Sequence, residues 1–153
     1  MLYLILVNLL LTVMKPIIMA DIRYAVDTNV FIYLHDKLNH FKREIAENIL
    51  AANPKIPAQV VSEYLNTTKR LLNLSKSELL SQCAELFSGC EIIPVSPNTL
   101  FFAATLITKY DIQLFDAVIV AASIEGNCSV LYSEDMQHNL IINNTLTIIN
   151  PFI

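Results

Sequence analysis

Hydrophobic residues along the chain form short runs that alternate with amphipathic stretches. Apolar runs rich in Ile, Val and Leu predict β-strands at residues 23–27, 55–56, 91–95, 129–132 and 146–149. Between them, apolar residues recur every three or four positions, which is the spacing of one buried helical face. Strands that alternate with helices predict an α/β domain whose largely parallel sheet is covered on both faces.

Several helix boundaries are marked by capping residues. Ser75 and Glu78 have the spacing of a capping box and precede an apolar helical stripe. Ser96 followed by Pro97 predicts an N-cap with proline in the first helical turn. Gly126 is expected to end the last long helix, which Asp116 is predicted to open. These signals place most of the chain in one regular α/β pattern.

The first eighteen residues differ from the rest. Residues 1–18 are an apolar extension, which Asn8 and Thr12 interrupt, and the run is too short to span a bilayer. Met19 begins a stretch typical of the start of an α/β domain. We therefore expect residues 1–18 to be translated upstream sequence from a misassigned start, and residues 19–153 to form the domain. A membrane anchor is the alternative, and mass spectrometry of the native N-terminus distinguishes the two.

Composition and charge narrow the functional classes. Hydrophobic residues make up 54% of the chain and charged residues 16%, which favours one folded domain over disorder. A net charge of −4 argues against nucleic-acid binding through a broad positive surface, although it does not exclude a metal-dependent nucleic-acid enzyme. The three cysteines form no Cys-x-x-Cys pair, so neither a disulfide framework nor a zinc site is predicted. A reducing cytoplasm fits best.

Four carboxylates stand where an apolar strand is predicted to end or a helix to begin: Asp27, Glu63, Asp116 and Asp135. Strand ends in an open α/β sheet face one crevice, so these acids are expected to converge. Carboxylates about 4–5 Å apart repel by roughly 3–4 kcal/mol at an effective dielectric near 20, so a cluster needs a divalent cation. Taken singly, each acid also fits a local role as a helix cap or turn residue.

The segments VDTNVFIY, VVSEYLN, FDAVIVAAS and YSEDMQ resemble, in this order, the acidic motifs of PIN-domain ribonucleases. The resemblance is strongest to the toxin components of VapBC-type toxin–antitoxin pairs, and it extends over residues 23–152. It implies a three-layer α/β/α domain and an endoribonuclease that depends on Mg²⁺ or Mn²⁺. It also implies a cognate antitoxin as partner, and a homodimer is expected.

The resemblance assigns roles to six positions of this sequence. The acids match the catalytic and metal-binding quartet, with Asp27 and Asp116 as the expected direct ligands, while Asn29 and Ser133 match polar residues that orient the site. The complete set is Asp27, Asn29, Glu63, Asp116, Ser133 and Asp135. With no nucleophilic cysteine or histidine motif in the sequence, direct attack by water is expected.

One departure from the family and several alternatives bear on this interpretation. Asn139 stands where many relatives carry glycine, and asparagine also tolerates the left-handed conformation of such a turn. A response-regulator receiver requires adjacent acids after the first strand, and a haloacid-dehalogenase phosphatase requires an aspartate where Asn29 stands. A non-catalytic module that binds a metal or partner on the same scaffold stays open.

Overall fold

Six short strands form one sheet at the centre of residues 22–153, the part of the chain that the computed structural model describes. The strands are β1 (Tyr24–Val26), β2 (Lys55–Pro57), β3 (Glu91–Ile93), β4 (Val130–Tyr132), β5 (Ile141–Ile142) and β6 (Leu146–Ile149). Their order in the sheet is β3-β2-β1-β4-β6-β5. All neighbours are parallel except β5 and β6, which are antiparallel. The predicted mostly parallel sheet is thereby confirmed.

Within residues 22–153, six α-helices surround this sheet and complete the predicted three-layer α/β/α arrangement. They are α1 (Thr28–Ile32), α2 (His40–Leu50), α3 (Ala58–Leu71), α4 (Lys76–Phe87), α5 (Pro97–Tyr110) and α6 (Leu114–Glu125). A single 3₁₀ turn, Tyr33–His35, follows α1. Helix α6 packs against α3, α5, β2 and β3, and its residues 117–123 are all buried. This central position explains why the sequence of α6 is apolar on every side rather than on one stripe.

The sequence identified most helix ends, with one shift. The capping box at Ser75 and the N-cap at Ser96 are confirmed, because each serine side chain accepts a hydrogen bond from the backbone N–H three residues later. The helix predicted to open at Asp116 begins at Leu114 instead, with Asp116 in its first turn. The N-cap of α1 is Asp27, whose side chain accepts from the Thr28 N–H.

Asparagine and aspartate take over turn positions that glycine commonly fills. The chain has two glycines, and neither has a positive φ. In the described part of the chain, six other residues adopt positive φ values between 48° and 63°: Asn53, Asp111, Asn127, Asn139, Asn143 and Asn144. These two residue types tolerate the left-handed region because their short polar side chains hydrogen-bond locally. The turn at Asn139, with φ 63°, therefore forms without glycine, as the sequence indicated.

The predictions for residues 1–18 and for a start at Met19 lie outside the described residues. Within residues 22–153, no helix is long and apolar enough to cross a bilayer.

Candidate functional site

The centre of the sheet brings Asp27 and Ser133 together. Strands β1 and β4 are parallel neighbours whose last residues, Val26 and Tyr132, are paired in register. Asp27 and Ser133 each follow directly, so they leave the carboxyl edge of the sheet side by side. The Asp27 N–H donates to the Tyr132 carbonyl at 2.9 Å, which extends the pairing beyond the strands. Backbone pairing thus fixes two predicted site residues that lie far apart in the sequence.

Asp27 is a buried carboxylate that is fully engaged in hydrogen bonds. Its side chain is 4% exposed. One oxygen accepts from the Thr28 N–H at 2.6 Å, and the other accepts from Ser133 Oγ at 2.7 Å and from Asn29 Nδ2 at 3.0 Å. Because a buried charge is costly unless it is compensated, these three donors are what allow a carboxylate here.

Asn29 connects Asp27 to the fourth predicted acid. Its Nδ2 donates to Asp135 Oδ2 at 3.2 Å as well as to Asp27, while its Oδ1 accepts from the Glu134 N–H at 3.2 Å. Ser133 Oγ also accepts from the Asp135 N–H at 3.3 Å. Asn29 and Ser133 therefore hold two carboxylates in one network, consistent with the orienting role expected for them.

Glu63 reaches the same place from helix α3. Its Oε2 accepts from Thr28 Oγ1 at 2.9 Å and its Oε1 accepts from Gln59 Nε2 at 3.0 Å. The sequence analysis had assigned no site role to Thr28 or Gln59. Their signals were nonetheless present, since Thr28 lies between two predicted site residues and Gln59 precedes Glu63 by one helical turn.

Asp116 faces the network from the first turn of α6. It is half-buried, and within residues 22–153 its carboxylate makes no side-chain hydrogen bond. Burial raises its pKa above the ordinary value, and the negative charges of Glu63 and Asp135 raise it further. Asp116 is therefore close enough to two other acids to be disfavoured as an anion.

Burial and neighbouring negative charges also disfavour the anionic form of Asp27. Burial raises the pKa of Asp27 to about 6, and the charges of Asp116 and Glu63 add to the rise. The hydrogen bonds from Ser133 and Thr28 oppose this effect and lower the pKa, but they do not cancel it. All four predicted acids thus lie in one region at the carboxyl edge of the sheet, where burial and nearby negative charges disfavour the anionic forms of Asp27 and Asp116.

The donor set fits a hard divalent cation in its chemistry. Carboxylate oxygens are the ligands that Mg²⁺ and Mn²⁺ prefer, and a cation would relieve the repulsion that raises the pKa values of Asp27 and Asp116. Among residues 22–153, however, no three His, Cys, Asp or Glu side chains already stand in an ion-chelating arrangement. A metal would therefore require side-chain rotation, for which Asp135, being exposed, has room.

A basic side chain lies at the rim of the network. Lys42, on α2, forms an ion pair with Glu134 and donates to the Tyr33 hydroxyl at 2.8 Å. Its ammonium nitrogen lies 4.6 Å from the centre of the Tyr33 ring and 5.3 Å from that of Phe152. Glu134 in turn presents its N–H to Asn29. Lys42 therefore places a positive charge beside the segment that carries Asp135.

Comparison with known proteins places the chain in a family. The PIN domain family model matches residues 24–141, which is most of the chain. No curated protein matches the sequence. A solved toxin–antitoxin complex from Klebsiella pneumoniae is 21% identical, with TM-score 0.64 over 84% of this chain and 98% of the other.

Two further solved structures have the same fold. VapBC2 from Rickettsia felis, bound to a DNA fragment from its promoter, is 20% identical, with TM-score 0.61 over 84% of this chain and 100% of the other. VapC20 from Mycobacterium tuberculosis, a sarcin–ricin loop cleaving toxin, is 17% identical, with TM-score 0.59 over 73% and 89%. At these identities the structural likeness is one of fold, whereas the family match rests on the sequence. The chain belongs to the PIN domain family.

Proposed function

We propose that this protein is a metal-dependent endoribonuclease. The observation that carries the proposal is the buried Asp27 carboxylate, which lies at the carboxyl edge of a parallel sheet with its pKa raised by burial and by Asp116 and Glu63. Strongly perturbed carboxylates in such a crevice are typical of functional sites. The toxin that cleaves the sarcin–ricin loop shares this fold, which favours RNA as the substrate.

The four acids have different proposed roles in the reaction. Asp27 and Asp116 are the proposed direct ligands, and Glu63 and Asp135 complete the oxygen donor set. A bound Mg²⁺ or Mn²⁺ supplies charge neutralisation for a phosphate and lowers the pKa of water. Glu63 or Asp135 orients the attacking water and accepts its proton, while Asn29 and Ser133 keep Asp27 in place. Attack at phosphorus breaks the bond to the 3′ oxygen, leaving a 5′-phosphate and a 3′-hydroxyl.

We further propose that the protein acts in the cytoplasm as the toxin of a toxin–antitoxin pair and assembles as a homodimer. The solved relatives include toxin–antitoxin complexes, which supports an antitoxin as partner. A groove between α3 and α4 has a volume of about 410 Å³ and is lined in part by Leu65, Leu79 and Leu80. It provides an apolar binding surface for such a partner. Phe101 and Phe115 are exposed on α5 and α6 and are available for a contact between copies.

The test is an RNA cleavage assay with Mg²⁺, Mn²⁺ or EDTA. Wild-type protein is expected to cut RNA with either ion and to be inactive in EDTA, leaving 5′-phosphate ends. Asp116→Asn is expected to lose more than about 100-fold in rate, because it removes a proposed ligand. Glu44→Gln, which changes an exposed acid on α2, serves as the control and should retain full activity.

Two outcomes would overturn the proposal. Cleavage that persists in EDTA, or full activity in Asp116→Asn, contradicts the metal mechanism. Binding of Mn²⁺ without cleavage of any RNA would instead favour the alternative, a non-catalytic module that uses the same scaffold to hold a metal or partner.

A further inference from the structure

A small cavity opens beside two of the acids. It has a volume of about 150 Å³ and lies between the turn that joins α5 to α6 and the segment that follows β4. Its lining includes Tyr110, Gln113, Asp116, Asp135, Met136 and Gln137. This volume is well below the roughly 300–1,000 Å³ of pockets that enclose drug-sized ligands, so the cavity suits one ring rather than a whole nucleotide. Any ring bound in this cavity lies next to Asp116 and Asp135, two of the proposed metal ligands.

Tyr110 gives this cavity an aromatic wall in a fixed position. Its hydroxyl donates to Asn143 Oδ1 at 3.0 Å and accepts from the Asn143 N–H at 2.8 Å. Asn143 follows β5 and has a positive φ of 48°. The hydrogen bonds to Asn143 therefore connect the Tyr110 hydroxyl to the antiparallel edge of the sheet. Aromatic side chains held in this way are the surfaces on which unpaired bases of RNA stack.

Two glutamine amides offer hydrogen bonds in the same cavity. Gln113 is the N-cap residue of α6, yet its side chain does not cap the helix. Gln113 and Gln137 are both exposed, and within the described part of the chain neither amide has a side-chain hydrogen bond. Asp111 also lines the cavity. Glutamine pairs with adjacent donor and acceptor atoms on adenine, and carboxylates accept from exocyclic amino groups.

We propose that this cavity binds the nucleobase next to the scissile phosphate and selects a base with an exocyclic amino group. Asp111 and Asp135 also line the cavity, and an ionised carboxylate accepts hydrogen bonds without donating them, so these residues favour amino groups and disfavour the carbonyl oxygens of uracil. Tyr110 supplies the stacking surface, and Gln113 and Gln137 read the edge of the base. The proposal rests on the RNA-cleaving function proposed above and adds the sequence preference of that site.

Met136 provides a direct probe of this cavity. It lines the cavity, is 8% exposed, and is the one methionine within residues 22–153. In full-length protein labelled at its methionine methyl groups, Met136→Leu assigns the resonance. Adenosine is expected to shift it and uridine to leave it unchanged, both nucleosides being added without divalent cations. This measurement of base binding does not depend on catalysis.

Variants of the two glutamines complete the test. Gln137→Ala and Gln113→Ala are each expected to weaken adenosine binding by about fivefold or more, the effect of losing one good base contact. Gln82→Ala, at an exposed glutamine on α4, is the matched control and should bind like wild type. Thermal unfolding of each variant verifies that it folds.

Cleavage mapping on a random-sequence RNA pool gives the second readout. Wild-type protein is expected to enrich an amino-bearing base at one position beside the cut, and the two glutamine variants are expected to lose this enrichment. An equal response of Met136 to uridine and adenosine, no response to either, or an unchanged cleavage pattern in both variants would overturn the proposal. Adenosine binding in a protein that cuts no RNA would leave the cavity assigned and refute the nuclease function alone.

Discussion

Replacing Asp27 by asparagine is expected to abolish RNA cleavage and, without divalent cations, to stabilise the fold by about 1–2 kcal/mol near pH 8. Asp27 is 4% exposed, and burial together with Asp116 and Glu63 raises its pKa from 3.8 to about 6. A neutral amide of the same shape removes the buried charge. The substitution also removes one carboxylate oxygen that accepts from Asn29, because the side-chain N–H groups of the two asparagines then face each other. The gain in stability is therefore partial.

The pH dependence of this effect follows from the direction of the pKa shift. A carboxyl whose pKa is raised in the folded state stabilises the fold fully below the unfolded pKa of 3.8, and this stabilisation is lost as the pH rises through about 6. The rise of this pKa from 3.8 to about 6 corresponds to about 3 kcal/mol. The advantage of Asp27→Asn is therefore expected near pH 8 and should disappear near pH 4.

Urea unfolding of both proteins at several pH values in EDTA measures this difference. Glu44→Gln, an exposed substitution on α2, controls for the loss of one negative charge and should change the free energy of unfolding by less than about 0.5 kcal/mol. An Asp27→Asn protein that is less stable than wild type at both ends of the pH range would show that Asp27 is a structural cap rather than a strained metal ligand.

Replacing Asn29 by aspartate is expected to destabilise the metal-free protein by about 2–4 kcal/mol near pH 8. The Asn29 amide donates to Asp27 at 3.0 Å and to Asp135 at 3.2 Å. A carboxylate at this position has no donor to offer, so both hydrogen bonds become repulsive contacts between anions. Because protonation restores one donor, most of the loss should be recovered near pH 5, and Mn²⁺ should also recover it.

Thermal unfolding at the two pH values, with and without Mn²⁺, tests this expectation. Asn48→Asp adds the same charge at an exposed position of α2 and is the matched control. A melting temperature for Asn29→Asp that equals wild type near pH 8 in EDTA would mean that the acids do not interact as closely as their hydrogen bonds indicate.

The sequence was sufficient for the fold class, because the alternation of strands and helices depends on local patterns. Capping boxes at Ser75 and Ser96 act within four residues, and the run of β1 is apolar because all three of its residues are buried. Strand β5 was not predicted, since its two residues, Ile141 and Ile142, form a strand only by pairing with β6.

The geometry of the site depends on contacts between distant residues, which local patterns do not contain. That Asn29 bridges Asp27 and Asp135, and that Thr28 holds Glu63, follows from strand order and helix packing. Lys42 gave no sign in the sequence of pairing with Glu134, which lies in the segment after β4. The assignment of metal-binding roles to the four acids likewise remains a proposal that requires measurement.

The most direct measurement is Mn²⁺ binding followed by electron paramagnetic resonance, in which bound Mn²⁺ disappears from the free-ion signal. Wild-type protein is expected to bind Mn²⁺, and Asp27→Asn and Asp116→Asn are each expected to weaken binding by more than about tenfold, while Glu44→Gln leaves it unchanged. Equal binding by wild type and both site variants would contradict the claim that these acids form one metal site.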